Sequence, residues 1–189
     1  LGANKNMSSQ EIATQYKAAL DKGTTVIKKG DTAGARKKSK EVLTHEYSVP
    51  YLAHAPMEPL NCSMRAKADS CEVWVGTQYQ SLDRKVVAKT LGLKPESVTI
   101  NTLHMGGGFG RRASPNEDVV LETAEIVKAI QKQAPALVGL PIKNMWARED
   151  DIQGGFYRPY GVNRLSATVD EKKRSISSWE HRIAVQSQM

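Results

Sequence analysis

Leu103-His104-Met105-Gly106-Gly107-Gly108-Phe109-Gly110-Arg111-Arg112 is the stretch whose residue types most demand a chemical explanation. Four glycines fall in the five positions 106–110, and each loses more backbone freedom on ordering than any other residue. A loop of this kind persists where backbone must approach another group closely or turn through positive φ. It is not a Gly-x-Gly-x-x-Gly dinucleotide fingerprint, which would need glycine where Arg111 stands, nor a Walker A loop, since no Gly-Lys-Ser/Thr follows. The alternation of Val98–Leu103 predicts a strand before it, and Ser114-Pro115-Asn116-Glu117 predicts a capped helix after it. Strand end, glycine loop and helix N-terminus can turn converging N–H groups on an oxyanion or phosphate, and two arginines suit the same ligand. The plain alternative is a tight strand-to-helix turn with exposed arginines.

Gly106-Gly107-Gly108-Phe109-Gly110-Arg111-Arg112 resembles the cofactor loop of the molybdenum hydroxylases, the xanthine and aldehyde oxidase superfamily. The Arg-Arg form is most similar to molybdopterin-binding large (beta) subunits of the isoquinoline 1-oxidoreductase type and related bacterial aldehyde dehydrogenases. Three further segments fit the same family in the same order: Ala53-His54-Ala55-Pro56-Met57-Glu58-Pro59, Trp74-Val75-Gly76-Thr77-Gln78, and Trp146-Ala147-Arg148-Glu149-Asp150-Asp151 through Tyr157-Arg158-Pro159. One such motif is weak; four in order are specific.

The resemblance implies roles. Gly106, Gly107, Gly108, Phe109, Gly110, Arg111 and Arg112 would bind the cofactor, with the N–H groups of Gly108, Phe109 and Gly110 facing its oxygens and the two arginines reaching the pterin phosphates. Phe109 matches the position beside the metal centre. Gln78 matches the glutamine that contacts the apical metal oxygen, where a neutral amide fixes an oxo group without changing the charge. Arg158 matches a substrate-side arginine, whose guanidinium can stabilise developing negative charge. Gln78, Phe109 and Arg158 are therefore the catalytic candidates, expected to border one cavity. No side chain ligates the metal in this superfamily, so the protein supplies orientation and electrostatics. Glu58 and His54 have the chemistry of a general base, but the family's base lies far toward the C-terminus, past Met189, and Glu58 reads as structural. Ala113 stands where xanthine-type members carry a substrate-binding glutamate, which argues against a purine substrate.

By the same resemblance the whole protein would be an oxidoreductase that inserts water-derived oxygen into an N-heterocycle or aldehyde. It would carry molybdenum on molybdopterin cytosine dinucleotide. Electrons would leave through a small iron–sulfur subunit bearing a 2Fe–2S cluster, with a cytochrome c as one acceptor. Export to the periplasm by a twin-arginine signal is implied, although residues 1–189 contain no such signal; the cytoplasm is the alternative. The chain begins at Leu1 and ends in a strand-like pattern, so it reads as an internal piece of a longer protein, inactive and metal-free by itself.

Composition sets the rivals. The net charge of +7 keeps a basic nucleic-acid-binding module in view, yet the basic clusters at 28–29, 36–38, 111–112 and 172–174 are scattered and aromatics are only 6%, so no stacking platform emerges. A non-catalytic scaffold of the same fold is the other rival. The longest apolar run, Ala134 to Ile142, holds two prolines and is too short to span a bilayer. Cys62 and Cys71 lack metal-ligand spacing. They flank a hairpin with its midpoint near Ala66-Lys67, which leaves open a cross-strand disulfide or two reduced thiols.

The positioning elements follow from periodicity. A capping box at Ser8–Glu11 predicts a helix, with Gly23 as its stop. Thr24–Ile27 predicts a short strand, residues 31–43 a surface helix, and Val42–Val49 a strand. Asn61–Ala66 and Cys71–Thr77 predict a hairpin. Ser81 caps a helix that ends at Gly92. After the glycine loop come a helix from Pro115 to about Gln133, a strand over Pro141–Ala147, and a hairpin pairing Asn163–Val169 with Ser175–Val185. The order ββαβαββ predicts an α+β fold, a mixed sheet with helices on one face, like a molybdenum cofactor-binding domain. Residues 1–50 would form an N-terminal segment and 51–189 the partial cofactor-binding domain.

Overall fold

The computed structural model of the chain describes residues 6–114 and 118–186. In chain order the elements are α1 (Ser9–Ala19), α2 (Thr32–Lys38), β1 (Leu43–Val49), β2 (Leu52–Ala53), β3 (Asn61–Ala66), β4 (Cys71–Val75), α3 (Gln80–Leu91), β5 (Val98–Thr102), α4 (Asp118–Gln133), β6 (Ile142–Met145), α5 (Arg148–Gln153), β7 (Tyr157–Arg158), β8 (Gly161–Asp170) and β9 (Ser175–Val185). They form two compact units, residues 53–157 and residues 1–52 with 158–189.

The unit of residues 53–157 is built on a four-stranded mixed sheet in the order β5-β4-β3-β6. β4 and β5 run parallel, joined by α3, while β3 pairs antiparallel with both β4 and β6. Strict alternation along β3 and β4 sends Cys62, Met64, Ala66, Cys71, Val73 and Val75 to one buried face. Val87 and Ala88 of α3, with Val119, Val120, Ala124 and Val127 of α4, join them in the core. Each large side chain so buried contributes about 1.5–3 kcal/mol. The expected α+β arrangement with helices against the sheet is what the chain adopts, over βαβαβ elements that follow the first strand of the hairpin.

The other unit holds a three-stranded antiparallel sheet, β1-β8-β9. The predicted capping box is present: Ser8 N donates to Glu11 Oε2 and Glu11 N to Ser8 Oγ, both at 3.1 Å. Residues 158–189, read from sequence as part of one domain with 51–157, group instead with the N-terminal segment. The reason is register: Leu43–Val49 pairs along Gly161–Ala167, so the final hairpin extends a different sheet from the one that carries the glycine loop.

Three local expectations are corrected. Thr24–Ile27 forms no strand; Val26 and Ile27 are exposed and have no neighbouring strand to complete a ladder. The helix expected over 31–43 stops at Lys38. Ser81 lies inside α3, whose N-cap is Tyr79, and the face turned inward is Asp83, Val87 and Ala88. The expected start of α4 at Pro115 lies outside the described residues. Among the described residues, no helix is long and apolar enough to cross a membrane.

The hairpin register settles the cysteines. Ala66 pairs with Cys71 and Cys62 with Val75 across a turn closed by Lys67 N donating to Ser70 O at 2.8 Å. Cys62 and Cys71 thus share a face of neighbouring strands but are offset by four positions, about 13 Å along a strand, far beyond disulfide reach. Both are free and buried. Burial pushes each thiol up to about 12 from an ordinary 9.0. The folded protein is expected to resist alkylation by iodoacetamide at neutral pH and to react fully in denaturant. Because both thiols hold their protons more tightly when folded, their contribution to stability is intact below about pH 9 and lost as the pH climbs toward 12. A fast-reacting thiol in the native state would overturn this.

Candidate functional site

The four family segments, short of Arg158-Pro159, lie in the unit of residues 53–157. The glycine loop leaves β5 through Leu103, whose N–H donates to Val75 O at 3.0 Å, so the loop starts beside the end of β4. Glu58 then fastens its first glycine from two sides. Its backbone N–H donates to Gly106 O at 3.1 Å and its Oε2 accepts from Gly106 N at 2.7 Å. Asn61 Nδ2 donates to Glu58 Oε1 at 2.7 Å and Arg112 Nη2 to Oε2 at 3.1 Å. Burial pushes the Glu58 carboxyl up, but the Gly106 N–H, the Asn61 amide and the charges of Arg112 and Lys143 outweigh it and hold it below the ordinary carboxylate range. Glu58 is a structural clamp.

Arg112 closes the loop from beneath. Its guanidinium donates to Gly107 O (2.8 Å), Gly76 O (3.3 Å) and Glu58 O (2.9 Å), besides the Glu58 carboxylate. One planar fork thereby joins three segments far apart in sequence, the use to which arginine is suited. Arg111 turns inward as well. It lies over the Trp146 ring at 5.4 Å and forms ion pairs with Asp118 and Asp151. The Asp118 contact, at 2.7 Å, is off the hydrogen-bond direction, so it is a charge contact rather than an aligned bond. The side chains of Arg111 and Arg112, expected to reach pterin phosphates, are therefore buried framework: carbonyls and carboxylates of the chain itself satisfy or face them.

The loop surface presents a different set of groups. Gln78 Oε1 accepts from Gly110 N at 3.2 Å, and Gln78 N donates to Arg112 O at 2.9 Å. That bond fixes the amide orientation and leaves Nε2 as the outward donor. The N–H of Gly110 is consumed by it, whereas among the described residues those of Gly108 and Phe109 have no acceptor. The expected trio of loop N–H groups is thus reduced to two. Phe109 has φ +57° and is 68% exposed, so its ring stands on the loop rather than in the core. A non-glycine residue held at positive φ stores strain that persists when surrounding bonds over-determine it. Here the Gln78–Gly110 bond and the Arg111 N to Gly108 O bond (2.9 Å) bracket it.

The loop packs this closely only because side chains are missing from it. A Cβ on Gly108 would lie 2.6 Å from Gln78 Oε1, and one on Gly107 would lie 3.2 Å from Pro56 Cβ. The remaining segment arrives through α5. Arg148 Nη2 donates to Pro56 O (2.7 Å) and Met57 O (2.9 Å), and Nη1 donates to buried Asp151 at 2.8 Å. Sequence reading gave Arg148 and Asp151 no role; their signal was an opposite-charge i,i+3 pair at the start of a helix. Arg158 is exposed in β7 and belongs to the other unit, so it is not among the residues this network gathers. No cluster of three or more metal-ligating side chains occurs among the described residues.

A loop with two unengaged N–H groups and a fixed amide donor can turn hydrogen-bond donors on the oxygens of a bound group. Comparison with known proteins agrees. Residues 16–154 match the molybdopterin cofactor-binding domain family, and the chain belongs to it. It is 37% identical over 134 residues to the isoquinoline 1-oxidoreductase subunit beta of Brevundimonas diminuta, covering 70% of this chain and 16% of the relative. It is 32% identical over 133 residues to a membrane-bound aldehyde dehydrogenase of Gluconacetobacter polyoxogenes, with the same 70% and 16% coverage. Its fold is similar to quinoline 2-oxidoreductase from Pseudomonas putida 86, at TM-score 0.60 and 20% identity, over 80% of this chain and 18% of that one. The chain spans about one sixth of the length of these curated relatives.

Proposed function

We propose that this chain supplies the glycine-loop wall of the molybdenum–pterin pocket in an oxidoreductase that hydroxylates an N-heterocycle or an aldehyde. The observation that carries it is the convergence of four family segments on one loop, fastened by Glu58, Arg112, Gln78 and Arg148. When bound, the cofactor supplies the two-electron oxidation chemistry. The chain's own contribution is to hold donors at fixed places: Gln78 Nε2 toward an oxygen of the cofactor, and the Gly108 and Phe109 N–H groups toward another. Donors aimed at developing charge in a water-poor site need no reorganisation during reaction. Phe109 shields that side from water. Arg158 remains the substrate-side candidate by resemblance alone, as do the cytosine dinucleotide form, the iron–sulfur subunit, a cytochrome c acceptor and a periplasmic address. The rival of a nucleic-acid-binding module receives less support, because Arg111 and Arg112 are buried and cannot meet a phosphate backbone.

Elemental analysis tests the reading in two steps. Residues 1–189 purified alone are expected to hold no stoichiometric molybdenum, since only part of the pocket is present. A longer natural polypeptide that includes them is expected to hold one molybdenum and one pterin per chain. In that protein Gln78→Ala should lower turnover by about 10²–10³-fold with molybdenum retained, the scale for losing one aimed donor. A full-length protein free of both molybdenum and pterin would end the proposal.

A further inference from the structure

Behind the glycine loop, between the start of α3 and the exit of the loop, lies a small cavity of about 10 Å³ bordered by Thr77, Asp83, Arg111, Arg112, Ser114 and Asp118, with apolar β4 and α4 side chains completing it. Most polar groups around it are engaged. Thr77 Oγ1 lies 3.5 Å from Arg112 O and accepts from Tyr79 N at 3.0 Å, and Ser114 Oγ donates to Asp118 Oδ1 at 3.3 Å. Asp118 Oδ2 makes only its ion pair to Arg111, with no aligned hydrogen bond, and two further charged groups stand out. Asp83 has no exposed surface, and neither of its carboxylate oxygens has a partner. Arg111, 2% exposed, has no aligned hydrogen bond from Nε, Nη1 or Nη2, and its ion pairs run to Asp118 and Asp151 rather than to Asp83.

An unsatisfied buried carboxylate costs several kcal/mol, so a native interior does not leave one without a donor. A carboxylate at Asp83 accepts, and the Arg111 guanidinium only donates. They border one cavity yet form no ion pair with each other. One molecule meets both needs: water donates to the carboxylate and accepts from the guanidinium, across two hydrogen bonds of about 2.8 Å each. A cavity of this size sits at the threshold for a single water, which requires about 10–15 Å³ and two to four polar partners. The guanidinium groups of Arg111 and Arg112 on its wall disfavour a cation there.

We propose that this cavity is a structural water site, in which one long-lived internal water donates to Asp83 and accepts from Arg111. It ties the helix that begins two residues after Gln78 to the last turn of the glycine loop.

Water-oxygen magnetic relaxation dispersion on the 189-residue chain, with a high-resolution crystal structure, tests the site. Asp83→Leu, similar in volume but apolar, is expected to show one fewer long-lived water than the wild type. Asp83→Asn, which still accepts, is expected to keep it. The crystal should show a peak about 2.8 Å from both an Asp83 oxygen and an Arg111 nitrogen. Equal water counts in wild type and a folded Asp83→Leu would overturn the proposal. So would a direct Asp83–Arg111 ion pair in the crystal, or a peak ringed by six oxygens at the shorter distances of a metal ion. Should Asp83→Leu fail to fold, the wild-type density and Asp83→Asn decide alone.

Discussion

Arg112→Ala is expected to destabilise the unit of residues 53–157 by about 3–5 kcal/mol, the scale for removing one partner of a buried charge network. The side chain is 1% exposed, and it serves three backbone carbonyls as well as the Glu58 carboxylate. Its loss strands Gly76 O, Gly107 O and Glu58 O together. Arg112→Lys keeps the charge but not the fork, so it should recover only a minor part of the loss. Urea unfolding followed through Trp74 and Trp146 fluorescence would measure both. Glu58→Ala should couple strongly with Arg112→Ala, the double variant losing clearly less than the two singles added, because the residues share one network. The Glu58 carboxyl is held below its ordinary 4.5, so its contribution is present above that pH and disappears as acid protonates the folded protein. A loss under about 1 kcal/mol for Arg112→Ala would mean the loop holds without its fork.

Gly107→Ala should come next in effect, costing about 1–3 kcal/mol from backbone strain alone. At φ +102° an L-residue is out of its favoured regions, and the new Cβ would also press within 3.2–3.3 Å of Pro56 and Phe109. Gly92→Ala offers the comparison, since φ there is +71° and nothing lies within 4 Å of the added carbon. The two variants share the positive-φ penalty and differ in contact. Gly107→Ala is therefore expected to be the more destabilising and to shift the amide resonances of Phe109, which Gly92→Ala leaves in place. Equal losses would remove close packing as the reason for glycine at 107.

Much of this unit was legible because its signals are local. Alternation gave β3, β4 and β5, and the glycine-rich run with its three companion segments gave the loop and its neighbours. The direction of Arg111 and Arg112 was not legible. A guanidinium after a glycine loop has the same sequence signature whether it reaches outward to a phosphate or inward to carbonyls. Only the positions of Gly76, Glu58 and Asp151 decide, and these are 36, 54 and 40 residues away. Asp83 was invisible for a similar reason: a carboxylate in the first turn of a helix reads as favourable capping charge, yet the packing of α3 carries it inside. The hairpin midpoint failed by two residues because the turn spans Lys67–Ser70, and that small slip separates two cysteines that a shorter turn would have brought together. The grouping of residues 158–189 with the N-terminal segment depends on pairing across more than a hundred residues, which no local pattern encodes.

That grouping sets an order of events at the ribosome. Strand Leu43–Val49 emerges about 110 residues before its partner begins at Gly161, roughly 6–20 s at ordinary synthesis rates of about 5–20 residues per second. The four-stranded sheet β5-β4-β3-β6, whose strands all lie within residues 61–145, can collapse during that interval. The earlier strand must wait as an unpaired edge, so the sheet it belongs to is expected to acquire protection from proteolysis later than the sheet β5-β4-β3-β6, only once Gly161–Val185 has emerged.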